Sequence, residues 1–498
     1  MILLPEDGCQ TLLDFATEAG DILRTSGLYR HGTVPVTINS KTGVVMEMTA
    51  QRLKSYLQMF AATCRLVPDE DGEPVPVVST MSLECAQGTL ESDAFILKLS
   101  EVEKVNPIRM PVIRQEGELE LLPVGYDEES RVFTCDSGIE YDDLNTFQAR
   151  LILYDFFRDF PFSDLQPDGM SCSKAVAVAG MLSHFAPMLL PDDARRFHFV
   201  FDTNSSGSGK TLLAQVAIIP IVGECRVQSL AASEDDMRRL LEREADKGAS
   251  YVFFDGLRGN EQEGALDALL TSSMRGMSLY VTCNSLELSS EARRRSLVSE
   301  LYVEQADAIA LSASPRVMDT AFLRSAEVRR NVLSALWAMI NAWNQAGRPV
   351  CSRQVPGYEA WSNVYGSIIE HAGLSCPLER VMENNDRDYA DMRAVVSHLV
   401  EKAERTYSNA RWTEVQLADV VDTALAIGAL EKHIAGGEVV DIIGTIRFVL
   451  THDSEVRLMA LIAKKFGGRI FVLADDRRVR FGQKERRYGK KYALEILG

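Results

Sequence analysis

Apolar residues recur at helical spacing over Leu12–Leu23 and again over 50–60, while the runs 33–38 and 44–48 between them alternate as strands do. Residues 69–76, rich in Asp, Glu, Gly and Pro, interrupt the pattern and predict an exposed loop. Short strand-like runs separated by turn residues fill 107–135. Helical spacing then covers 143–160 and 175–190, where Pro191 and Asp192 break it. A run of aromatic and branched residues, 197–201, leads straight into a glycine-rich turn. Beyond it, 319–343 is strongly helical and stops at Gly347, Arg348 and Pro349, and further helices are predicted over 359–373 and 388–407. In the final segment, two helical runs (415–426 and 454–465) precede two strand-like runs (469–474 and 492–497) around a basic turn. Helices followed by strand, turn and strand predict a winged-helix-like module.

At 498 residues the chain is about three times the common domain size, so several cores are expected. Hydrophobic residues (46%) and charged residues (25%) stand at ordinary globular levels and leave little room for long disordered tracts. The net charge of -18 would repel nucleic acid if it were evenly spread, so contact with DNA requires a local basic surface or a ring lumen. Nine cysteines, at 9, 64, 85, 135, 172, 225, 283, 351 and 376, form no CxxC pair, and reduced, mostly buried thiols are expected. Met1 to Pro5 is followed at once by Glu6 and Asp7, which is no signal pattern, and apolar stretches such as 175–182 are far too short to span a bilayer. A cytoplasmic location without membrane contact is expected. The chain shows no solenoid-type repeat and no low-complexity block.

The candidate chemistry begins at FHFVFDTNSSGSGKTLLAQVA, where Asn204, Ser205, Ser206, Gly207, Ser208, Gly209, Lys210, Thr211 and Leu212 lie between a predicted strand and a predicted helix. That is the setting of a phosphate-binding loop: glycines let consecutive N–H groups turn inward, and the helix start adds its positive dipole end. Lys210 would meet the β- and γ-phosphates of ATP and Thr211 would offer its hydroxyl to Mg2+. Asn204 stands where the full pattern has glycine, and asparagine tolerates the left-handed turn better than most residues. YVFFDG ends a buried-type strand in Asp255, the second Mg2+ candidate, though the residue also suits an ordinary strand-ending turn. Many ATPases follow such an aspartate with a water-activating glutamate. Gly256 and Leu257 follow here, and the general base is unassigned. SLYVTCN ends 29 residues later in Asn284, either a water-orienting amide or a turn residue. Arg293, Arg294 and Arg295 follow in SSEARRRSLVSELYVE, as an arginine finger for a neighbouring subunit or as a solvated helix end.

The order FDTNSSGSGKTLLA, VFFDG, VTCN and EARRR resembles the AAA+/superfamily 3 helicase domains of bacteriophage, plasmid and genomic-island replication proteins. PVIRQEGELELLPVGYD and FRDFPFSD before that core, and RRNVLSALWAMINAWNQAGRP and GYEAWSNVYGSIIEHAG after it, are similar to flanking segments of such proteins, so the resemblance runs over about residues 110–375. It implies a homo-oligomeric ring, a hexamer, with ATP between subunits and DNA drawn through the centre. It also implies roles for Lys210, Thr211 and Asp255 at phosphate and Mg2+, for Asn284 in sensing, and for Arg294 or Arg295 in the contact across subunits. No acidic cluster of the primase kind is visible in the N-terminal part, so priming is not inferred.

From 456 to 498, twelve Lys or Arg stand against four Asp or Glu, a local charge of +8 in an otherwise acidic chain. Arg477, Arg478, Arg480, Lys484, Arg486, Arg487, Lys490 and Lys491 would form a basic wing, and the helix carrying Arg457, Lys464 and Lys465 would approach a groove, unless this is a solvated face balancing the acidic core. The expected organisation is an N-terminal α+β accessory module (1–140), an α/β P-loop NTPase core of AAA+/superfamily 3 type with leading helices (141–315), an all-helical lid or adaptor (316–408) and a winged-helix-like DNA-binding domain (409–498). The expected function is an ATP-driven DNA helicase or translocase serving replication of a mobile element. The rivals are an ATP-gated regulatory or defence protein that oligomerises without unwinding DNA, and a non-enzymatic DNA-binding initiator.

Overall fold

The computed structural model describes residues 1–5, 10–203, 207–229, 234–246, 249–258, 270, 276–284, 290–303, 318–379, 381, 396–397 and 400, and seven short segments between 412 and 497. At the N-terminus, the Thr11 side chain accepts the Asp14 amide and starts the helix Leu12–Leu23, which buries Phe15, Ala16, Ala19 and Leu23. They pack with Leu53 and Leu57 of Ala50–Gln58 and with Phe95 in one cluster. The loop expected over 69–76 is shorter than its composition suggests. Pro74–Val78 is a strand antiparallel to Thr63–Pro68, and because it lies at the sheet edge, the N–H groups missing from Pro74 and Pro76 cost little. The strand-like runs of 107–135 form small sheets, Pro111–Ile113 with Leu119–Leu121, and Gly125–Asp127 with Val132–Thr134. Arg114 joins them through a two-pronged bond to Asp127, at 2.8 Å for each nitrogen.

The centre of the chain is a five-stranded, wholly parallel sheet. Its strands are β1 (His198–Thr203), β2 (Val227–Gln228), β3 (Tyr251–Arg258), β4 (Ser278–Asn284) and β5 (Ser296–Leu301), in the spatial order β2-β3-β4-β1-β5. Parallel strands are covered on both faces, and this explains why these read as nearly continuous apolar runs. Phe199, Phe201, Phe253 and Tyr280 face one layer, while Val200, Val252, Phe254, Leu279 and Val281 face the other. The spatial order sets the strand that feeds the glycine turn, β1, beside β4 rather than beside β3. The carboxyl ends of β1 and β3 therefore flank that of β4, at the sheet edge where chains of this topology hold ligands.

The helices α1 (Thr146–Phe157), α2 (Cys172–Phe185) and α3 (Lys210–Val222) share the first layer. Every residue of α2 is buried, as suits a helix apolar on all sides. The helix expected over 175–190 stops at Phe185 and continues as a 3-10 turn, Pro187–Leu189, because Pro187 offers no N–H to prolong it. The helix expected over 319–343 is divided into Thr320–Arg324 and Ala326–Gln345, since Ser325 leaves helical backbone (ψ 143°) and accepts the Val328 amide as an N-cap. Helix Glu359–Trp361 runs through a π-helical segment, Ser362–Gly366, into Ser367–His371. These later helices pack into the same hydrophobic core as α2 and α3. Arg324 and Arg329 reach the final carbonyls of α3, with bonds of 2.6 Å to Gly223 and 2.9 Å to Pro220, and so cap the helix that begins at Lys210.

In the C-terminal segments, Trp412–Val415, Gly489–Leu497, Arg478–Arg486 and Ile470–Val472 form an antiparallel sheet, and Leu430–His433, Glu438–Asp441 and Ile446–Val449 form a second one. Of the helix expected over 415–426 only Val415 is described, and it ends the strand Trp412–Val415 because it pairs with Tyr492; the helix expected over 454–465 lies outside the described residues, and of 388–407 only 396, 397 and 400 are described, all helical. Among the described residues, no helix is long and apolar enough to cross a membrane.

Candidate nucleotide-binding site

The site is built where β1 ends. Asn204, Ser205 and Ser206 lie outside the described residues, but Gly207 (φ 84°) and Gly209 (φ 91°) adopt the left-handed backbone that only glycine takes without strain, and α3 starts directly afterwards at Lys210. Between them Ser208 is buried, and its hydroxyl has no partner among the described residues. An orphaned buried hydroxyl costs free energy unless something from outside completes it. Leu212, on the first turn of α3, packs against the core.

Asp255 stands across from this turn. The Thr211 hydroxyl donates to its Oδ1 at 2.7 Å, so the two residues proposed from sequence to share a metal are in direct contact. Thr282, to which the sequence reading gave no role, is the third member. Its hydroxyl donates to the same Oδ1 at 2.5 Å and accepts the Gly256 N–H at 2.7 Å. The residue was visible in SLYVTCN as a polar position sharing the strand face of Tyr280. Beside the cluster, burial and the charge of Asp255 push the Cys225 thiol up to about 12, so it stays protonated.

Gly256 explains the absent glutamate. The β3–β4 register slips between Phe254 and Leu257, a bulge that sets Gly256 at φ 73°. Any side chain at that position would be strained, so the bulge that aims Asp255 at Thr211 also excludes an acid from the next position. Asp202 and Glu300 are register partners at the same sheet edge. Asp202 accepts its neighbour's amide, Thr203 N–H, at 2.8 Å, and Glu300 accepts the Ser163 hydroxyl at 3.1 Å. Asn284, at the end of β4, has a buried side-chain oxygen with no partner among the described residues.

The arginines occupy the opposite edge. Arg293 and Arg294 end the short helix Ser290–Arg294, and the Arg295 carbonyl accepts the His198 amide at 2.9 Å, at the amino end of β1. Along the six residues of β1 that is roughly 16 Å from the glycine turn, at about 3.3 Å per residue and beyond the reach of an arginine side chain. Glu291 holds Arg294 at 3.1 Å and Arg295 at 2.7 Å, and both arginines remain partly exposed. Of the basic candidates further on, Arg478 and Arg480 are exposed on either side of buried Val479, and Arg477 is half-buried. The hairpin Arg478–Arg486 with Gly489–Leu497 aligns Lys484 with Lys491 and Glu485 with Lys490. Lys464, Lys465 and Arg487 lie outside the described residues.

A carboxylate and a threonine hydroxyl side by side are hard oxygen donors of the kind Mg2+ takes, and the amide-lined turn with its orphaned Ser208 hydroxyl suits an anion. The residues fit a metal-bound polyphosphate. A P-loop NTPase fold is what the parallel sheet, the left-handed glycines and the Thr211–Asp255 contact amount to together. No family model matches the sequence, and no curated protein sequence matches it. Among solved structures the chain is similar to the JCV helicase, with 12% identity and a TM-score of 0.21, over 46% of this chain and 66% of that one. It is similar too to the RuvB Holliday junction branch migration motor of Thermotoga maritima, with 15% identity and a TM-score of 0.22, over 59% of this chain and 97% of that one.

Proposed function

We propose that the protein is an ATP-dependent DNA helicase or translocase that works as an oligomeric ring, a hexamer by the resemblance of its sequence, in the replication of a mobile genetic element. The observation that carries the reading is the joining of Thr211, Asp255 and Thr282 at the carboxyl edge of a parallel sheet, beneath a left-handed glycine turn. In this reading Lys210 and the loop amides hold the β- and γ-phosphates, Thr211 and Asp255 hold Mg2+, and Asn284 orients the attacking water through a side-chain oxygen that has no partner among the described residues. Mg2+ held there would neutralise phosphate charge. Arg294 or Arg295, too distant to serve its own site, reaches the nucleotide of the next subunit. The basic hairpin, with Arg478 and Arg480 exposed, contacts DNA phosphates.

The test is ATP turnover with and without single-stranded and forked DNA, with the mass in solution recorded alongside. DNA-stimulated turnover by an oligomer, lost in Lys210→Ala, supports the reading; a monomer indifferent to DNA overturns it. One observation favours a second reading, a nucleotide-gated regulatory protein with little turnover: the left-handed backbone at Gly256 strains any side chain where the customary acid would stand. Tight ATP binding without hydrolysis would select it.

A further inference from the structure

We propose that Cys351, Glu370 and Cys376 form a binding site for a thiophilic divalent cation of the zinc type, separate from the nucleotide site. Sequence spacing conceals it, because 25 positions separate the two cysteines, but folding brings all three ligand atoms within 4.8 Å of one another. The two sulfurs are 4.0 Å apart. Tetrahedral zinc with bonds of about 2.3 Å to sulfur sets two thiolates roughly 3.8 Å apart, so the cation enters with a shift of a few tenths of an ångström, whereas a disulfide would require the sulfurs to close to about 2 Å.

The surroundings are built to hold the triad. Ser352 presents both its amide, at 2.8 Å, and its hydroxyl to the two oxygens of Glu370, which fixes the carboxylate with its remaining lone pairs toward the Cys351 and Cys376 side chains. The strand of chain before Cys351 is pinned by Trp343, whose ring N–H donates to Ser367 Oγ at 2.9 Å and to the Pro349 carbonyl at 3.2 Å. Gly366 closes the π-helical segment, and a Cβ there would sit 2.9 Å from Cys351 Sγ. Single π turns recur at functional positions. Here the segment brings a residue without a side chain against the sulfur. Cys351 is buried, while Glu370 and Cys376 are partly open, so solvent completes a fourth ligand position. Two soft thiolates select zinc over Mg2+ or Ca2+. On binding, each thiol releases its proton to solvent and its sulfur lone pair forms the bond to the cation, with no change of oxidation state. The cation would staple the loop after Ala326–Gln345 to the helix Ser367–His371 and the turn beyond it.

The test uses the full chain, purified under a non-chelating reductant, stripped with a chelator and titrated with Zn2+ and separately with Co2+. The expected result is a single tightly held equivalent, with a thiolate-to-cobalt charge-transfer band. Cys351→Ser and Cys376→Ser should each lower the band by about half or more and weaken Zn2+ binding by more than the roughly 10–100-fold that changes outside a metal's ligand shell cause. Glu370→Gln should weaken binding and keep the band. ATP binding by each variant, measured alongside, shows that it has folded. Absence of uptake by the stripped wild-type chain, an unchanged band in folded Cys351→Ser, or a Cys351–Cys376 disulfide in the metal-free chain kept under reductant would each overturn the proposal.

Discussion

The two edges of the parallel sheet are made from different chemistry. At the carboxyl edge Thr211, Asp255 and Thr282 form a cluster of short side chains, and Ser208 in the glycine turn and Asn284 at the end of β4 each keep a polar atom unpartnered among the described residues. At the amino edge Arg294 and Arg295 are long, charged and already paired with Glu291. Short side chains on strand ends lose little entropy on being fixed, so the first edge is preorganised for an incoming anion. The second edge is held by ion pairs that a stronger anion could exchange, as a contact between subunits would require. One protomer therefore presents a receptive edge and a donating edge, and the proposed ring joins one to the other.

The largest effect should come from emptying the receptive edge. Lys210→Ala or Asp255→Asn should lower kcat by about 10²–10³-fold, as loss of a preorganised group facing transition-state charge does; steady-state hydrolysis measures it. Near wild-type turnover in both variants would dissolve the comparison. Next, Arg294→Ala and Arg295→Ala should slow turnover in the assembled protein by at least roughly tenfold while leaving nucleotide affinity nearly unchanged. Mixing either variant with Lys210→Ala should restore part of the activity, because only then does an intact arginine meet an intact site. Failure of every mixture would place the arginines outside the chemistry.

Thr282→Val keeps the shape but orphans the Gly256 N–H and leaves Asp255 with Thr211 alone of its two hydroxyl donors, at about 1–3 kcal/mol in stability. It should raise the Mg2+ concentration needed for half-maximal turnover, read in a metal titration beside a thermal melt. Gly256→Ala should cost on the order of 1–2 kcal/mol, because a Cβ there meets nothing within 4 Å and backbone strain alone acts.

The gentlest effect is on pH dependence. Burial, with Arg295 second, lowers His198 to about 4, and burial, with Arg196 second, lowers His184 to about 3, from the usual 6.5. A depressed histidine binds its proton more readily unfolded than folded. The stability it confers is therefore complete above pH 6.5 and lost as pH falls through the window down to about 4 and about 3. His198 Nδ1 accepts the Leu279 N–H at 3.2 Å, a bond that protonation ends. His198→Gln should flatten the fall of Tm between pH 6.5 and 4, and an unchanged slope would mean that the amino edge is open to water.

Much of the receptive edge was legible from residues in sequence. GSGKT after a strand locates the glycine turn, and SLYVTCN ends at Asn284 as predicted, whereas the strand predicted to end at Asp255 runs on through a bulge to Arg258. Less legible was β5, because SLVSEL alternates too weakly to be recognised until it pairs with β1. Ser325 ended a helix that apolar spacing ran straight through, since a cap outweighs periodicity at one position.

Local pattern by itself determined the elements and the identity of the phosphate-loop residues, because burial on a strand or helix face is imprinted at periods of two and 3.6. Tertiary structure alone decided what meets what. The contact of Thr282 with Asp255, the separation of the arginines from their own site, and the approach of Cys351 to Cys376 each depend on strand order or helix packing. Contacts between residues far apart in the chain leave no periodic trace in it, so they become visible only once the chain has folded.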